Sequence, residues 1–157
     1  MLSSRLPLLI TGVAGVAGFN AFRYFHRKYP GQVVGVRPHQ TIRLTGPGII
    51  AQDAEDAVGM QSLFARFGFR AILNCVGNCA LKSCELDPMM ARTVNVQSAL
   101  VLAELARRHD ARLVHLSSDL VFSGEFPPLP AGGEGPGVRG LPYFSPLPAG
   151  GEGPGVR

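Results

Sequence analysis

The sequence predicts an α/β fold, a Rossmann-like doubly wound parallel sheet of about five strands in the order 3-2-1-4-5, followed by a disordered Gly/Pro-rich tail. Apolar runs alternate with amphipathic stretches, a glycine-rich turn directly follows the first run, and the composition changes at Gly124. Short connections between alternating strands and helices favour parallel pairing, with helices on both faces. We therefore expect one folded domain over residues 1–124 and a low-complexity tail over residues 125–157.

The first half of the domain contains a strand, a turn, a helix and a second strand. Leu8 to Thr11 is a short apolar strand, and a helix runs from Val16 to about Tyr29, where Pro30-Gly31 stops it. Gln32 to Val36 is a β-branched second strand. A short third strand is expected at Thr41 to Leu44, ahead of a run of glycine and proline.

The second half repeats this alternation. Asp53 is a typical N-cap for a helix that runs to about Phe67 and ends at Gly68. Ala71 to Val76 is an apolar fourth strand. Proline at a helix start predicts a long helix from Pro88 to about His109, and Arg112 to Ser117 is the fifth strand.

Composition limits the classes of function. A chain of 157 residues has room for one domain with a sizeable core, and its net charge of +4 comes from scattered cations, without the aromatic-interleaved basic stripe of a nucleic-acid binder. Cys75, Cys79 and Cys84 fit neither zinc nor iron–sulfur spacing, so we expect reduced thiols, no metal and a cytoplasmic protein. No apolar run is long enough to suggest a membrane span.

The tail contains a perfect repeat. Residues 128–139 and residues 146–157 both read PLPAGGEGPGVR. Its few apolar side chains cannot offset the entropy lost on ordering, and disorder or an extension resembling polyproline II is therefore expected.

The turn after the first strand is the main candidate ligand site. Gly12, Gly15 and Gly18 are spaced by three residues where the helix begins, so a pyrophosphate could approach the backbone amides of Val16 and Ala17. The spacing matches the general dinucleotide fingerprint only loosely. Two other interpretations stay open: a secretory signal peptide over the first residues, and a glycine-rich turn without a ligand.

Polar residues at other strand ends extend this site. Arg37 follows the second strand, where a guanidinium would favour the 2′-phosphate of NADP(H) over NAD(H), although NAD(H) and a solvated loop arginine remain alternatives. Asn74, Cys75 and Val76 end the fourth strand, where backbone meets cofactor in such folds. Ser117 and Ser118 end the fifth, where a hydroxyl could reach a substrate carbonyl or merely cap a turn.

Four motifs in this order resemble the extended short-chain dehydrogenase/reductases, and within them the dTDP-4-dehydrorhamnose reductase family. The motifs are TGVAGVAG at 11–18, LNCV at 73–76 with CELDP at 84–88, VNV at 94–96, and LSSDLVFSG at 116–124. The resemblance covers residues 8–124, the N-terminal part of such proteins. It implies an NADP(H)-dependent reductase of a nucleotide-sugar 4-keto group, with Ser118 as the catalytic hydroxyl and Asn95 added to the cofactor-binding residues.

The sequence departs from the family pattern at the residues on which catalysis depends most. The resemblance implies a Tyr-x-x-x-Lys pair after Ser118, but Lys28 and Lys82 are the only lysines and both precede it. We therefore expect a chain that binds dinucleotide but is inactive alone, with nucleotide-sugar binding only in a full-length form. The alternatives are a non-catalytic subunit, similar to the regulatory subunit of methionine adenosyltransferase, and a truncated gene product without function. An apolar fifth strand at the sheet edge also predicts self-association.

Overall fold

The computed structural model describes residues 2–117, which form a parallel five-stranded sheet in the order β3-β2-β1-β4-β5. The predicted strand order and fold class are confirmed. In chain order the elements are a 3₁₀ turn at Leu2–Arg5, β1 at Leu8–Thr11, α1 at Val16–Lys28, β2 at Val33–Arg37, β3 at Ile49–Ala51, α2 at Ala57–Phe67, β4 at Ala71–Asn74, α3 at Leu81–Leu86, α4 at Pro88–Arg92, a π turn at Thr93–Gln97, α5 at Ser98–Arg108 and β5 at Arg112–His115. Ser118, the boundary at Gly124 and the repeated tail lie outside the described residues.

The central strand β1 is buried on both faces of the sheet. Leu9 packs in the cluster under α2 and α5, whereas Ile10 packs with Phe22 in the cluster under α1. Both β1 side chains are fully buried, since a parallel strand with helices on both faces alternates between two cores rather than between core and solvent. The carboxyl ends of the central strands therefore lie between two layers of packed helices.

Helix α2 begins later than predicted. The carboxylate of Asp56 accepts the backbone N–H groups of Val58 and Gly59, so the N-cap is Asp56, and the prediction of Asp53 is wrong. Asp53 instead accepts the backbone N–H of His39 at 3.1 Å and contacts its ring Nδ1 at 2.9 Å. Either carboxylate could cap the helix, but Asp53 is paired with His39, and Asp56 therefore forms the cap.

The third strand lies at Ile49–Ala51, and the prediction of Thr41 to Leu44 is wrong. Two backbone hydrogen bonds turn the chain there, from Thr41 N–H to the Pro38 carbonyl and from Leu44 N–H to the Thr41 carbonyl. A segment whose amides bond within itself cannot pair with β2. The three-residue strand that does pair comes directly after a glycine- and proline-rich loop.

The predicted long helix is present, and it contains one π turn. Asp87 caps it by accepting the N–H of Met90, and Pro88 is its first residue, as predicted. The π turn at Thr93–Gln97 then separates α4 from α5. No sequence pattern predicted this turn or the short helix α3.

Strand β5 pairs with β4 alone among the described residues, which places it at one edge of the sheet. Val114 and Leu116 are each 47% exposed there. Between residues 2 and 117, no helix has the length and apolarity needed to cross a membrane.

Candidate functional site

A pocket of about 560 Å³ opens at the carboxyl ends of β1, β2 and β4. Five residues singled out in the sequence line it: Gly12, Gly15, Arg37, Cys75 and Val76. In a doubly wound sheet this edge is the place where ligands bind, because the connections to neighbouring helices diverge there. The fold thus brings residues from three separate motifs to one cavity.

The turn between β1 and α1 leaves no room for side chains at two of its glycines. Gly12 has a φ of +72°, and a Cβ there would lie 2.6 Å from the carbonyl carbon and oxygen of Cys75. A Cβ on Gly18 would meet the Gly12 carbonyl, so α1 packs directly on the turn. Gly15 differs, since a Cβ there would meet only the Gly12 oxygen, at 3.5 Å, and the space beside it is otherwise open.

The start of α1 supplies free amides next to this open space. Gly15 is the N-cap and carries no side chain that could accept from the first turn. The N–H groups of Val16 and Ala17 have no acceptor within the helix, as at any helix start, and the dipole gives this end a partial positive charge. Val16 is 81% exposed, so solvent or a ligand can reach this turn.

Arg37 lines the pocket at the end of β2, and its guanidinium bonds the loop that follows. Its Nε donates to the Leu44 carbonyl at 2.5 Å, and its Nη1 donates to the carbonyls of Pro38 at 3.0 Å and His39 at 3.5 Å. Within the described residues Nη2 has no hydrogen bond. Arg37 therefore holds its own loop through Nε and Nη1, and its Nη2 group is left without a partner among the described residues.

Beneath the pocket, Asn74 anchors the loop that follows β4. It is fully buried, and its Oδ1 accepts from the Thr11 hydroxyl at 2.6 Å and from the backbone N–H of Val76 at 2.9 Å. The second bond curls the chain back at Cys75, toward Gly12. Asn74 shapes the pocket wall from below.

Two more of the predicted site residues are Cys75, which lines the pocket, and Asn95, which lies outside the lining. Partial burial raises the pKa of the Cys75 thiol, which disfavours the thiolate at neutral pH. Asn95, on the π turn, uses both ends of its amide on Asn78, accepting the backbone N–H at 2.6 Å and donating to the carbonyl at 2.9 Å. This contact ties the loop after β4 to the helix that follows.

Other predicted residues lie apart from the lining. Ser117 is exposed at the end of the described chain, and Ser118 lies beyond it. Asp53 lines the pocket, although its local pattern predicts a helix cap; its position shortly after β3 is the signal that could have identified it as a pocket residue. Thr93 and Val94 also line the pocket, from a π turn that leaves no local sequence signal.

Comparison with known proteins identifies related sequences. The family model described as "RmlD substrate binding domain" matches residues 6–133. A dTDP-4-dehydrorhamnose reductase of Aggregatibacter actinomycetemcomitans is 35% identical over 63 residues, which are 40% of this chain and 21% of that protein. A probable dTDP-4,6-dihydroxy-2-methyloxan-3-one 4-ketoreductase of Streptomyces antibioticus is 31% identical over 119 residues, 74% of this chain and 36% of that protein. The chain thus spans only part of the length of these relatives.

Solved structures share the fold at lower identity. A hypothetical dTDP-4-dehydrorhamnose reductase from Sulfolobus tokodaii superposes with a TM-score of 0.64 at 23% identity, covering 75% of this chain and 41% of that one. A UDP-glucose 4-epimerase from Thermotoga maritima gives a TM-score of 0.62 at 18% identity, covering 69% and 36%.

Proposed function

The chain belongs to the RmlD substrate-binding domain family, and from that membership we propose that it is the NADP(H)-binding part of a nucleotide-sugar 4-keto reductase. The observation that carries the proposal is the open space beside Gly15, which faces free helix amides in a pocket built from three strand ends. When bound, the nicotinamide would supply hydride to a carbonyl carbon. The chain's own residues would bind and orient it.

Each residue has a role in this proposal. The amides of Val16 and Ala17 hold the pyrophosphate, whose oxygens accept hydrogen bonds at the positive end of α1. Gly12 and the Cys75–Val76 peptide form the wall behind it. Arg37 directs its free Nη2 to the 2′-phosphate.

Titration of the full chain with NADPH and with NADH, followed by cofactor fluorescence, tests the proposal. We expect tighter binding of NADPH, and Arg37→Ala should weaken it roughly 10–100-fold, the cost of a lost hydrogen bond to a charged group, with little change for NADH. Arg43→Ala removes the same charge from an exposed position in the same loop and should change neither affinity. A wild-type preference for NADH would overturn the role of Arg37, and binding of neither cofactor would overturn the proposed function.

A second candidate is a non-catalytic dinucleotide-binding subunit. One observation favours it: no lysine follows Lys82, so the Tyr-x-x-x-Lys pair that would lower a tyrosine pKa is missing from this sequence. We expect the chain alone to bind NADPH without turning over a 4-keto sugar nucleotide. Turnover above background would contradict this candidate.

The edge strand β5 also supports self-association. Its exposed Val114 lies on a strand whose outer edge pairs with no other strand between residues 2 and 117. Light scattering after size-exclusion chromatography should show a mass that rises with concentration, and Val114→Lys should suppress the rise. A monomer at all concentrations would exclude this surface.

A further inference from the structure

The buried polar side chains of Thr11 and Asn74 lie in line with His115, a residue to which the proposed function gives no role. Thr11, Asn74 and His115 are register partners at the ends of β1, β4 and β5, so their side chains form one row on one face of the sheet. Asn74 Nδ2 lies 2.8 Å from His115 Nδ1. The row therefore runs from the glycine turn to the sheet edge.

Hydrogen-bond donors determine the orientation of the Asn74 amide and of the His115 ring. The Val76 N–H can only donate, so the Asn74 atom that faces it must be the amide oxygen. The other end is then the NH₂ group, which can also only donate, and His115 Nδ1 must accept from it. The imidazole consequently carries its proton on Nε2 in this arrangement.

We propose that His115 is a positioning residue for the dinucleotide site: by accepting from Asn74 it holds the amide whose oxygen fixes the Val76 N–H behind Gly12. Asn74 is fully buried and His115 is exposed, so without the His115 acceptor the NH₂ group would have no hydrogen-bond partner among the described residues. The amide would then turn to find another acceptor, and the bond to Val76 would weaken. The wall formed by the Cys75–Val76 peptide would lose its fixed position against the glycine turn.

Two substitutions separate the acceptor from the ring. His115→Leu removes the acceptor, whereas His115→Asn replaces Nδ1 by an amide oxygen that can accept at nearly the same place. His109→Leu is the matched control, since His109 Nε2 makes a similar 3.1 Å contact with the Gln61 amide between α5 and α2, away from the pocket.

NADPH titration of the full-length variants is the first test, and it rests on the proposed function. His115→Leu should weaken binding roughly fivefold, the equivalent of about one net hydrogen bond, while His115→Asn and His109→Leu should stay within about twofold of wild type. Equal loss in both His115 variants, or loss in neither, would overturn the proposal. Equal loss would show that the ring, not the acceptor, matters.

Amide hydrogen exchange of the chain without cofactor is the second test and does not depend on NADPH. The Val76 N–H should exchange faster in His115→Leu than in wild type and return to the slow rate in His115→Asn. An unchanged Val76 rate in the leucine variant would overturn the positioning role. If the wild type fails to bind NADPH, the proposed function fails, and this measurement alone decides the role of His115.

Discussion

Gly18→Ala would put a methyl group between helix α1 and the backbone of Gly12, where the two pack in direct contact. Its Cβ would lie 2.2 Å from the Gly12 carbonyl oxygen and 2.6 Å from the carbonyl carbon. The first distance is roughly 1 Å or more short of an ordinary contact of about 3.5 Å. Both contacts are to backbone, so no side chain can rotate away, and α1 must move off the turn.

The cost of this movement exceeds the gain in helix propensity. Overpacking costs about 1–3 kcal/mol, whereas alanine in place of glycine in a helix returns up to about 1 kcal/mol. Because both contacts are to backbone, the cost lies at the upper end of this range, and we expect a net loss of about 2 kcal/mol in the free energy of unfolding, or a fall in Tm of roughly 8 °C for a domain of this size. Thermal melts followed by circular dichroism, and urea titrations, measure both quantities.

Gly15→Ala is the control from the same turn. Gly15 has a φ of −92°, and its added Cβ would lie 3.5 Å from the nearest non-neighbouring atom, so the Tm should stay within about 1 °C of wild type. NADPH binding should nevertheless weaken, because the methyl group stands at the pocket wall. Equal stability of Gly18→Ala and wild type, or an equal loss in both variants, would refute the packing argument.

Two carboxylates give further predictions. Hydrogen bonds, chiefly from the Gln52 side chain, hold the pKa of Asp56 below its usual 3.8, so its stabilising effect is present above that pH and is lost as the pH falls through the lower folded value. Asp56→Ala should lower the Tm at pH 7 by roughly 2–5 °C, and this Tm difference from wild type should disappear in acid. Asp53→Ala is the control, since it leaves the cap intact. A Tm difference that stays the same at every pH would contradict the linkage. Hydrogen bonds, first from Arg107, lower the pKa of Glu104 to about 2, so the Tm gap between wild type and Glu104→Gln should close as the pH falls from 4.5 toward that value. A gap that widens would contradict it.

Local patterns predicted the elements whose side chains match their surroundings. The apolar runs of β1, β2 and β4 are buried because helices cover both faces of the sheet, and the alternation of strands with helices determines a parallel order. Gly68 ends α2 with a φ of +61°, as a glycine after a periodic stretch predicts. In these cases the local preference and the tertiary contacts agree.

The errors arose where a distant contact decides between equivalent local choices. Arg37 donates across seven residues to the Leu44 carbonyl, and this bond joins the turn that replaces the predicted third strand. His39 engages Asp53, which leaves the cap to Asp56. No local pattern announces either bond. The assignments of Asn95 and Ser117 to a cofactor stay predictions.

The π turn at Thr93–Gln97 has a consequence for the history of the sequence. A π turn holds one more residue than an α turn, so it acts as a single-residue insertion absorbed inside a helix. In this turn Asn95 bonds to Asn78, and in the helix that follows Ser98, Leu102 and other α5 residues are buried. When relatives of different length are aligned, we expect a one-residue gap to fall within residues 93–97, inside a helix rather than in a loop. Relatives with that gap would keep α5 packed against the sheet but would lack the hydrogen bonds between residue 95 and the loop after β4.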